Sequence, residues 1–204
     1  LIVSPASIVA FTFTERAATE LKERIYNRVA DRCGDETLGL LSPMFVGTIH
    51  AYCLQMLQEN VSEYGDYDIL DTHQQAGLIS REYKRLGLDF ISDKHWAPVR
   101  DFAQITDIIS NELISIDSIT NVPLRESYIK YCDALSGYKL LTFGQIIARA
   151  IEALDDPDIF SRVHSQLTHL IVDEYQDINP AQHQLITKLA SEPVELCVVG
   201  DDDQ

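Results

Sequence analysis

Short apolar runs that alternate with helical patterns constrain the fold of this chain more than any other feature. Residues 7–13, 44–47, 170–172 and 194–199 form such runs, and each is largely apolar rather than alternating between apolar and polar residues. Strands of this kind are typical of a parallel sheet whose two faces are both covered by helices. We therefore predict an α/β fold built on a parallel sheet.

Polar caps indicate where the intervening helices begin. A Thr, Asn or Asp side chain at this position accepts a hydrogen bond from a free N–H group of the first helical turn, and a Gln three residues later completes a capping box. The first helix is predicted to follow Thr14 and to end at Gly34. The other predicted caps are Thr48, Thr72 with Gln75, Thr142 with Gln145, and Asn179 with Pro180 in the first turn.

The middle of the chain shows helical spacing alone. Apolar residues such as Phe102, Ile105 and Ile109 recur every three or four positions, and no strand pattern occurs between about residues 79 and 140. Because strand patterns flank this stretch, we predict an all-helical subdomain that interrupts the sheet domain. The predicted boundaries are residues 1–73 and 139–204 for the two parts of the sheet domain, and 74–138 for the insertion.

The composition is that of an ordinary folded protein. Of 204 residues, 46% are hydrophobic and 24% are charged. The apolar runs are far too short to cross a bilayer, and the first residues show no leader pattern. The four cysteines lack the paired spacing of zinc sites and indicate reduced thiols. We therefore expect a cytoplasmic protein without a membrane partner.

The net charge of −16 argues against one way of binding nucleic acid. Proteins that hold DNA mainly by neutralising phosphates carry a basic face. Here 32 acidic residues exceed 16 lysines and arginines. Any contact with nucleic acid is therefore expected to be local, through backbone amides, hydroxyl groups and aromatic stacking.

Polar residues follow three of the predicted strands. Ligands of an open parallel sheet bind beyond the carboxyl ends of its strands, and these ends carry residues 12–14, the pair Asp173-Glu174, and residues 200–204. One carboxylate of such a pair can hold Mg²⁺ while its neighbour polarises an attacking water. A solvated acidic turn is the alternative interpretation of the pair taken alone.

Four longer motifs give the chain a family resemblance. Residues 172–182 (VDEYQDINPAQ) resemble motif II of the UvrD, Rep and PcrA family of DNA helicases, and residues 198–204 (VVGDDDQ) resemble the start of motif III. Residues 11–18 (FTFTERAA) resemble motif Ia, and residues 47–53 (GTIHAYC) resemble motif Ib. The motifs follow the family's order. The resemblance implies a P-loop NTPase fold, with a RecA-like parallel sheet interrupted by the helical subdomain.

The resemblance assigns nucleotide chemistry to motifs II and III. Asp173 would help to hold Mg²⁺, and Glu174 would act on the water that attacks ATP. Gln204 would sense the terminal phosphate, and Gln176 would lie close to the same relay. The implied ligands are therefore ATP and Mg²⁺.

Motifs Ia and Ib would contact single-stranded DNA. Thr12, Phe13 and Thr14 would meet the strand, with the Phe13 ring available for stacking on a base, and Thr48 and His50 would contact the DNA backbone. Without the resemblance, Phe13 would be interpreted as a core aromatic residue. His50 would be interpreted as a structural histidine at the start of a helix.

The whole protein implied by this resemblance is an ATP-dependent DNA helicase. It would couple ATP hydrolysis to movement on single-stranded DNA and would unwind duplex ahead of it, in the 3′ to 5′ direction. The implied partners are single-stranded DNA, junctions between duplex and single strand, and a second RecA-like domain of the same protein, which is missing from these residues.

We expect the phosphate loop of the family to be missing as well. It would precede motif Ia, and none of the nine glycines is followed by the lysine that this loop requires. The sheet would then be incomplete, and the isolated chain inactive. Two alternatives are a truncated, inactive module that binds DNA or a partner, and a metal-dependent nuclease that uses Asp173, Glu174 and residues 201–203. The nuclease would need further carboxylates or a lysine at matching strand ends, and none is evident.

Overall fold

The computed structural model describes residues 3–90 and 96–201, and it confirms the predicted α/β fold. The strands are β1 (Ile8–Thr12), β2 (Phe45–Thr48), β3 (Asp68–Leu70), β4 (Leu140–Thr142), β5 (His169–Val172) and β6 (Glu195–Val198). Four of them form a parallel sheet in the order β2-β1-β5-β6. The other two, β3 and β4, form a separate parallel pair that the sequence did not predict.

Helices connect these strands. They are α1 (Glu15–Cys33), α2 (Ile49–Asn60), α3 (Thr72–Arg81), α4 (Tyr83–Leu86), α5 (Trp96–Asn111), α6 (Val122–Gly137), α7 (Phe143–Ala153), α8 (Pro157–Ser165) and α9 (Pro180–Leu189). The predicted side-chain caps of four helices are confirmed, because each accepts a hydrogen bond from a backbone amide of the first turn; these caps are Thr14, Thr48, Thr142 and Asn179.

The cap of α3 lies one residue earlier than predicted. Its capping box joins Asp71 to Gln74 rather than Thr72 to Gln75. The Asp71 carboxylate accepts a hydrogen bond from the Gln74 amide at 2.8 Å, and the Gln74 side chain accepts one from the Asp71 amide at 2.9 Å. Gln75 is buried instead and donates to the Thr106 hydroxyl at 3.1 Å. Its polar group therefore joins α3 to α5 rather than capping α3.

One face of the main sheet carries the larger apolar core. α2, α7 and α9 contribute to this core together with Phe11, Leu170 and Val172, none of which is more than 1% exposed. α1 packs against β1 and β2. Among the described residues of α1, Ala18 is the one that is buried, so this helix covers little of the sheet.

The strand β6 is less covered than the sequence predicts. It lies at the edge of the sheet, and all four of its residues are exposed. Leu196 is 44% exposed and Val198 is 47% exposed. Among the described elements only β5 packs closely against it, so neither of its faces is buried.

A second apolar core lies among α3, α4, α5 and α6. Its most buried side chains include Ile79, Leu86, Phe102 and Tyr131. In the part of this segment that the structure describes, residues 72–90 and 96–137 contain no strand. The pair β3–β4 flanks the segment at both ends. No helix of the described residues is long and apolar enough to pass through a membrane.

Candidate functional site at the carboxyl edge of the sheet

The carboxyl ends of β1 and β5 are joined directly. Phe11 pairs with Val172 in the parallel register, and the amide of Asp173 donates to the carbonyl of Phe11 at 3.0 Å. The next strand continues the ladder, because the amide of Val199 donates to the carbonyl of Val172 at 2.8 Å. The polar residues that follow these strands therefore leave the sheet at one common edge.

The acidic pair lies in a strained turn at this edge. Glu174 has a φ angle of 52° and a ψ angle of 45°, which is a left-handed conformation that residues other than glycine rarely adopt. Such backbone costs on the order of 1–3 kcal/mol and is concentrated at functional sites. The Asp173 carboxylate accepts a hydrogen bond from the Glu174 amide at 3.1 Å. The turn thus directs two adjacent carboxylates to different positions.

Gln176 holds the second carboxylate in place. Its side-chain amide donates to the Glu174 carboxylate at 2.7 Å, and its oxygen accepts a hydrogen bond from the Asp201 amide at 3.2 Å. Gly200 leaves room for this bridge, because a Cβ atom at residue 200 would lie 2.6 Å from the Gln176 oxygen. Gln176 therefore connects the turn after β5 to the segment after β6. Gln204, which was predicted to take part in the same relay, lies outside the described residues.

Asp173 is the residue of this turn that could hold a magnesium ion. Within the described residues it forms no ion pair with a basic side chain, so its charge is available to a cation. Residues 3–90 and 96–201 contain no cluster of three or more acidic, histidine or cysteine residues that could hold a metal by themselves. Magnesium at nucleotide sites usually takes one or two carboxylates, with water and substrate phosphates completing its shell. One available aspartate fits that donor set.

Motif Ia places an aromatic ring in solvent. Phe13 is 54% exposed, whereas Phe11, two residues earlier, is 1% exposed. The strand β1 ends at Thr12, so Phe11 lies within the strand and in the core, whereas Phe13 lies beyond the end of the strand. Thr14 is also exposed and caps α1. Thr12 is buried, and its hydroxyl donates to the Thr14 carbonyl at 3.1 Å. The Thr12 side chain therefore holds the conformation of the loop, and the DNA contact predicted for Thr12 stays a prediction.

Motif Ib lies beside motif Ia. The Thr48 hydroxyl accepts a hydrogen bond from the Ala51 amide at 3.2 Å and donates one to the Glu15 carboxylate at 2.8 Å. Since Glu15 begins α1 and Thr48 caps α2, this bond joins the starts of the two helices.

His50 lies largely buried behind this edge. Burial lowers the pKa of its imidazole below the usual value, so His50 is neutral near pH 7. Its ring meets that of Phe143 edge to face, with the ring centroids 5.6 Å apart. Phe143 is itself 48% exposed at the start of α7. The sequence did not single out Phe143 as a site residue, although an aromatic residue directly after a capped strand end was a usable signal.

The geometry thus gathers the described residues of all four motifs at one edge of one sheet. Residues 2–204 match the family described as the UvrD/REP helicase N-terminal domain.

The chain belongs to this helicase family.

Several curated helicases are similar to the chain. It is 30% identical to the ATP-dependent DNA helicase PcrA of Bacillus subtilis in an alignment 213 residues long, gaps included, that covers 99% of the chain and 27% of that protein. It is also 30% identical to DNA helicase II of Escherichia coli in an alignment 210 residues long that covers 98% of the chain and 28% of that protein. The chain is 30% identical to the ATP-dependent DNA helicase UvrD1 of Mycobacterium leprae in an alignment 227 residues long that covers 99% of the chain and 28% of that protein. The chain thus spans little more than a quarter of the length of these relatives.

Membership of the UvrD/REP family identifies the main sheet as the RecA-like one. In the order β2-β1-β5-β6, the strands before the motifs assigned to DNA lie next to the strands before the motifs assigned to nucleotide. Motifs Ia and Ib follow β1 and β2, whereas motif II follows β5 and Gly200 follows β6.

Proposed function

We propose that the protein carrying this chain is an ATP-dependent DNA helicase that moves along single-stranded DNA. The chain would contribute the acidic half of the ATP site and part of the track for the strand. Unwinding in the 3′ to 5′ direction, action at duplex–single-strand junctions, and cooperation with a second RecA-like domain belong to the same proposal.

One observation supports this proposal above the others. β1 lies between β2 and β5, so that residues assigned to DNA and to nucleotide follow strands that pair directly. The hydrogen bond from the Asp173 amide to the Phe11 carbonyl joins the two sides, and Phe13 lies two residues beyond Phe11. A shift of the turn that holds Asp173 would therefore displace the loop that holds Phe13. Such a connection is what coupling between hydrolysis and movement requires.

The residues of the acidic turn suit ATP hydrolysis. Asp173 would hold Mg²⁺, which when bound neutralises charge on the phosphates. Glu174 would orient the attacking water and accept its proton, and Gln176 would fix the Glu174 carboxylate through the 2.7 Å hydrogen bond. Gln204 would sense the terminal phosphate. The strained backbone of Glu174 supports a functional role for this turn.

The DNA half of the site offers stacking and local dipoles instead of a basic surface. Phe13 and Phe143 present exposed rings, on which bases of any sequence can stack. The N-termini of α1 and α2 lie beside them, and each carries the partial positive charge of a helix start. Thr14, Thr48 and the neutral His50 would position the backbone of the strand. An acidic chain can hold DNA in this way without a basic face.

We also propose that residues 74–138 are an insertion between the two parts of the motor domain, residues 1–73 and 139–204. Its own apolar core supports this, as does the pairing of β3 with β4 on either side of it. α5 nevertheless packs on α7 and α9, so the insertion would move with the sheet domain rather than independently of it.

The test measures phosphate release by the full-length protein with and without single-stranded DNA. Glu174→Gln should abolish turnover and leave nucleotide binding intact, because it removes the base and keeps the shape. Asp173→Ala should weaken nucleotide binding only when Mg²⁺ is present. Glu126→Gln, an exposed charge change in α6, serves as the matched control and should leave both quantities unchanged.

Two outcomes would contradict the proposal. DNA-stimulated turnover that survives Glu174→Gln would remove Glu174 from the chemistry. A wild-type protein that binds DNA without any turnover would favour the alternative of an inactive binding module. Strand displacement from substrates with a 3′ or a 5′ tail tests the proposed direction.

A further inference from the structure

Glu15 lies among the residues proposed to bind DNA, yet it carries the same charge sign as DNA. Its carboxylate accepts a hydrogen bond from the Thr48 hydroxyl at 2.8 Å, across 33 positions of sequence. Glu15 is exposed and is the first residue of α1, directly after the cap Thr14. The carboxylate therefore lies at the surface where a strand contacting Phe13 and Thr48 would pass.

The Thr48 hydroxyl has no hydrogen left for a phosphate while this bond exists. A threonine hydroxyl has one hydrogen to donate. Thr48 gives that hydrogen to Glu15, and its oxygen already accepts from the Ala51 amide, which caps α2. A DNA phosphate can receive a hydrogen bond from Thr48 only if the Glu15 side chain is displaced. Because a carboxylate and a phosphate are both charged acceptors, the exchange brings little gain in hydrogen bonding.

The negative charge of Glu15 also disfavours the binding of a phosphate at Thr48. None of the ion pairs formed by the described residues involves Glu15. The nearest basic residue in sequence, Arg16, is engaged with Glu20 at 3.0 Å. A phosphate that approached Thr48 would therefore meet a negative charge that no basic side chain of the described residues pairs with.

We propose that Glu15 occupies, in the free protein, the position of a DNA phosphate and thereby limits the affinity for the strand. This inference rests on the proposed function of motifs Ia and Ib. The carboxylate leaves Thr48 when a strand binds and returns when the strand departs. The return of the carboxylate speeds the release of each phosphate, which suits a protein that has to move along the strand rather than remain on one site.

The experiment measures binding of a short single-stranded oligonucleotide to the full-length protein by fluorescence anisotropy at low and high salt. Glu15→Gln removes the charge and keeps the size of the side chain. We expect binding about three- to tenfold tighter at low salt, with the gain shrinking as salt rises, because exposed charges are screened. Glu23→Gln makes the same charge change on α1, eight residues further along, or about 12 Å at the rise of a helix. It should have clearly less effect.

Competition for the hydroxyl is tested separately by a double-mutant cycle of Glu15→Ala and Thr48→Val. The gain in affinity from Glu15→Ala should be smaller when residue 48 has no hydroxyl to release. Thr48→Ser keeps the hydroxyl and the cap of α2, and it should preserve the full gain. Melting temperatures of all variants identify any variant that has lost its fold. If Thr48→Val has lost its fold, the competition is judged from the gain in affinity that Glu15→Ala gives in the Thr48→Ser background.

The outcomes separate this inference from the proposed function. If Phe13→Ala weakens binding but Glu15→Gln binds no tighter than Glu23→Gln, the role of Glu15 is wrong and the DNA surface stands. If neither Phe13→Ala nor Glu15→Gln changes binding, the DNA surface itself is wrong, and the inference falls with it. A gain from Glu15→Gln that stays constant at high salt would also overturn the electrostatic argument.

Discussion

Removing the ring of Phe13 should weaken DNA binding without unfolding the protein. Phe13 is 54% exposed beyond the end of β1, so its ring is free to stack on a base. The matched comparison is Phe11, which is 1% exposed and packs edge to face against Tyr52 with ring centroids 5.2 Å apart. The two residues have the same side chain and lie two positions apart, but Phe11 lies inside β1 and Phe13 lies past its end.

The magnitudes follow from that difference. Base stacking on an aromatic residue contributes about 1–3 kcal/mol, so Phe13→Ala should raise the Kd for single-stranded DNA roughly 5- to 150-fold. Since about half of the Phe13 side chain is already exposed, its removal should lower the free energy of unfolding by about 1 kcal/mol. Phe11→Ala should instead cost about 3–5 kcal/mol of stability, because it opens a cavity in the core.

The assay is fluorescence anisotropy on a short oligonucleotide at two salt concentrations, together with urea unfolding of each variant. Stacking does not depend on charge, so the loss of affinity in Phe13→Ala should persist at high salt, whereas phosphate contacts weaken. Phe13→Tyr keeps an aromatic face and should restore most of the binding. A variant Phe13→Ala that binds DNA normally but melts early would show that Phe13 supports the core, and the reasoning from its exposure would be refuted.

Three further predictions concern the hydrogen bonds of Gln176, the imidazole of His50 and the cap of α3. Gly200→Ala should displace Gln176 from Glu174 and lower ATP turnover at least tenfold with little change in melting temperature, since the clash falls on the end of a flexible side chain. Burial lowers the pKa of His50 from 6.5, so the unfolded chain binds this proton more tightly and stability should fall as pH drops through about 6.5. His50→Asn should remove that part of the pH dependence in urea titrations. Asp71→Ala removes the cap of α3 and should cost about 1 kcal/mol in urea unfolding, whereas Thr72→Ala should cost less.

Much of the fold could be predicted because its signals are local. Thr14, Thr48, Thr142 and Asn179 each cap a helix that starts at the next residue, and the capping interaction needs only the three or four residues around it. The strand runs are equally local, since continuous apolar residues are visible without knowledge of their partners.

The features that the sequence did not reveal depend on distant partners. β3 and β4 are three residues each and are stabilised by pairing across the whole helical segment, so neither shows a strand pattern by itself. The choice between Asp71 and Thr72 as the cap depends on which register buries Gln75 against Thr106. In the candidate site, the motif resemblance supplied the roles that are proposed for Glu174 and Phe13. It did not supply the Glu15–Thr48 bond or the Phe143 ring, because both require contacts between elements far apart in sequence.

The exposure of β6 has a consequence for how firmly the acidic turn at Asp173 and Glu174 is held. Measurements of amide hydrogen exchange show that the strands of one sheet open with different free energies. A strand with no buried face opens at a small fraction of the free energy of global unfolding. β6 is such a strand, whereas β1 and β5 are buried at the centre. The oxygen of Gln176 is held by the Asp201 amide, three residues past the end of β6. Within the described residues, the position of the Glu174 side chain therefore depends on an exposed edge strand as well as on the buried centre of the sheet.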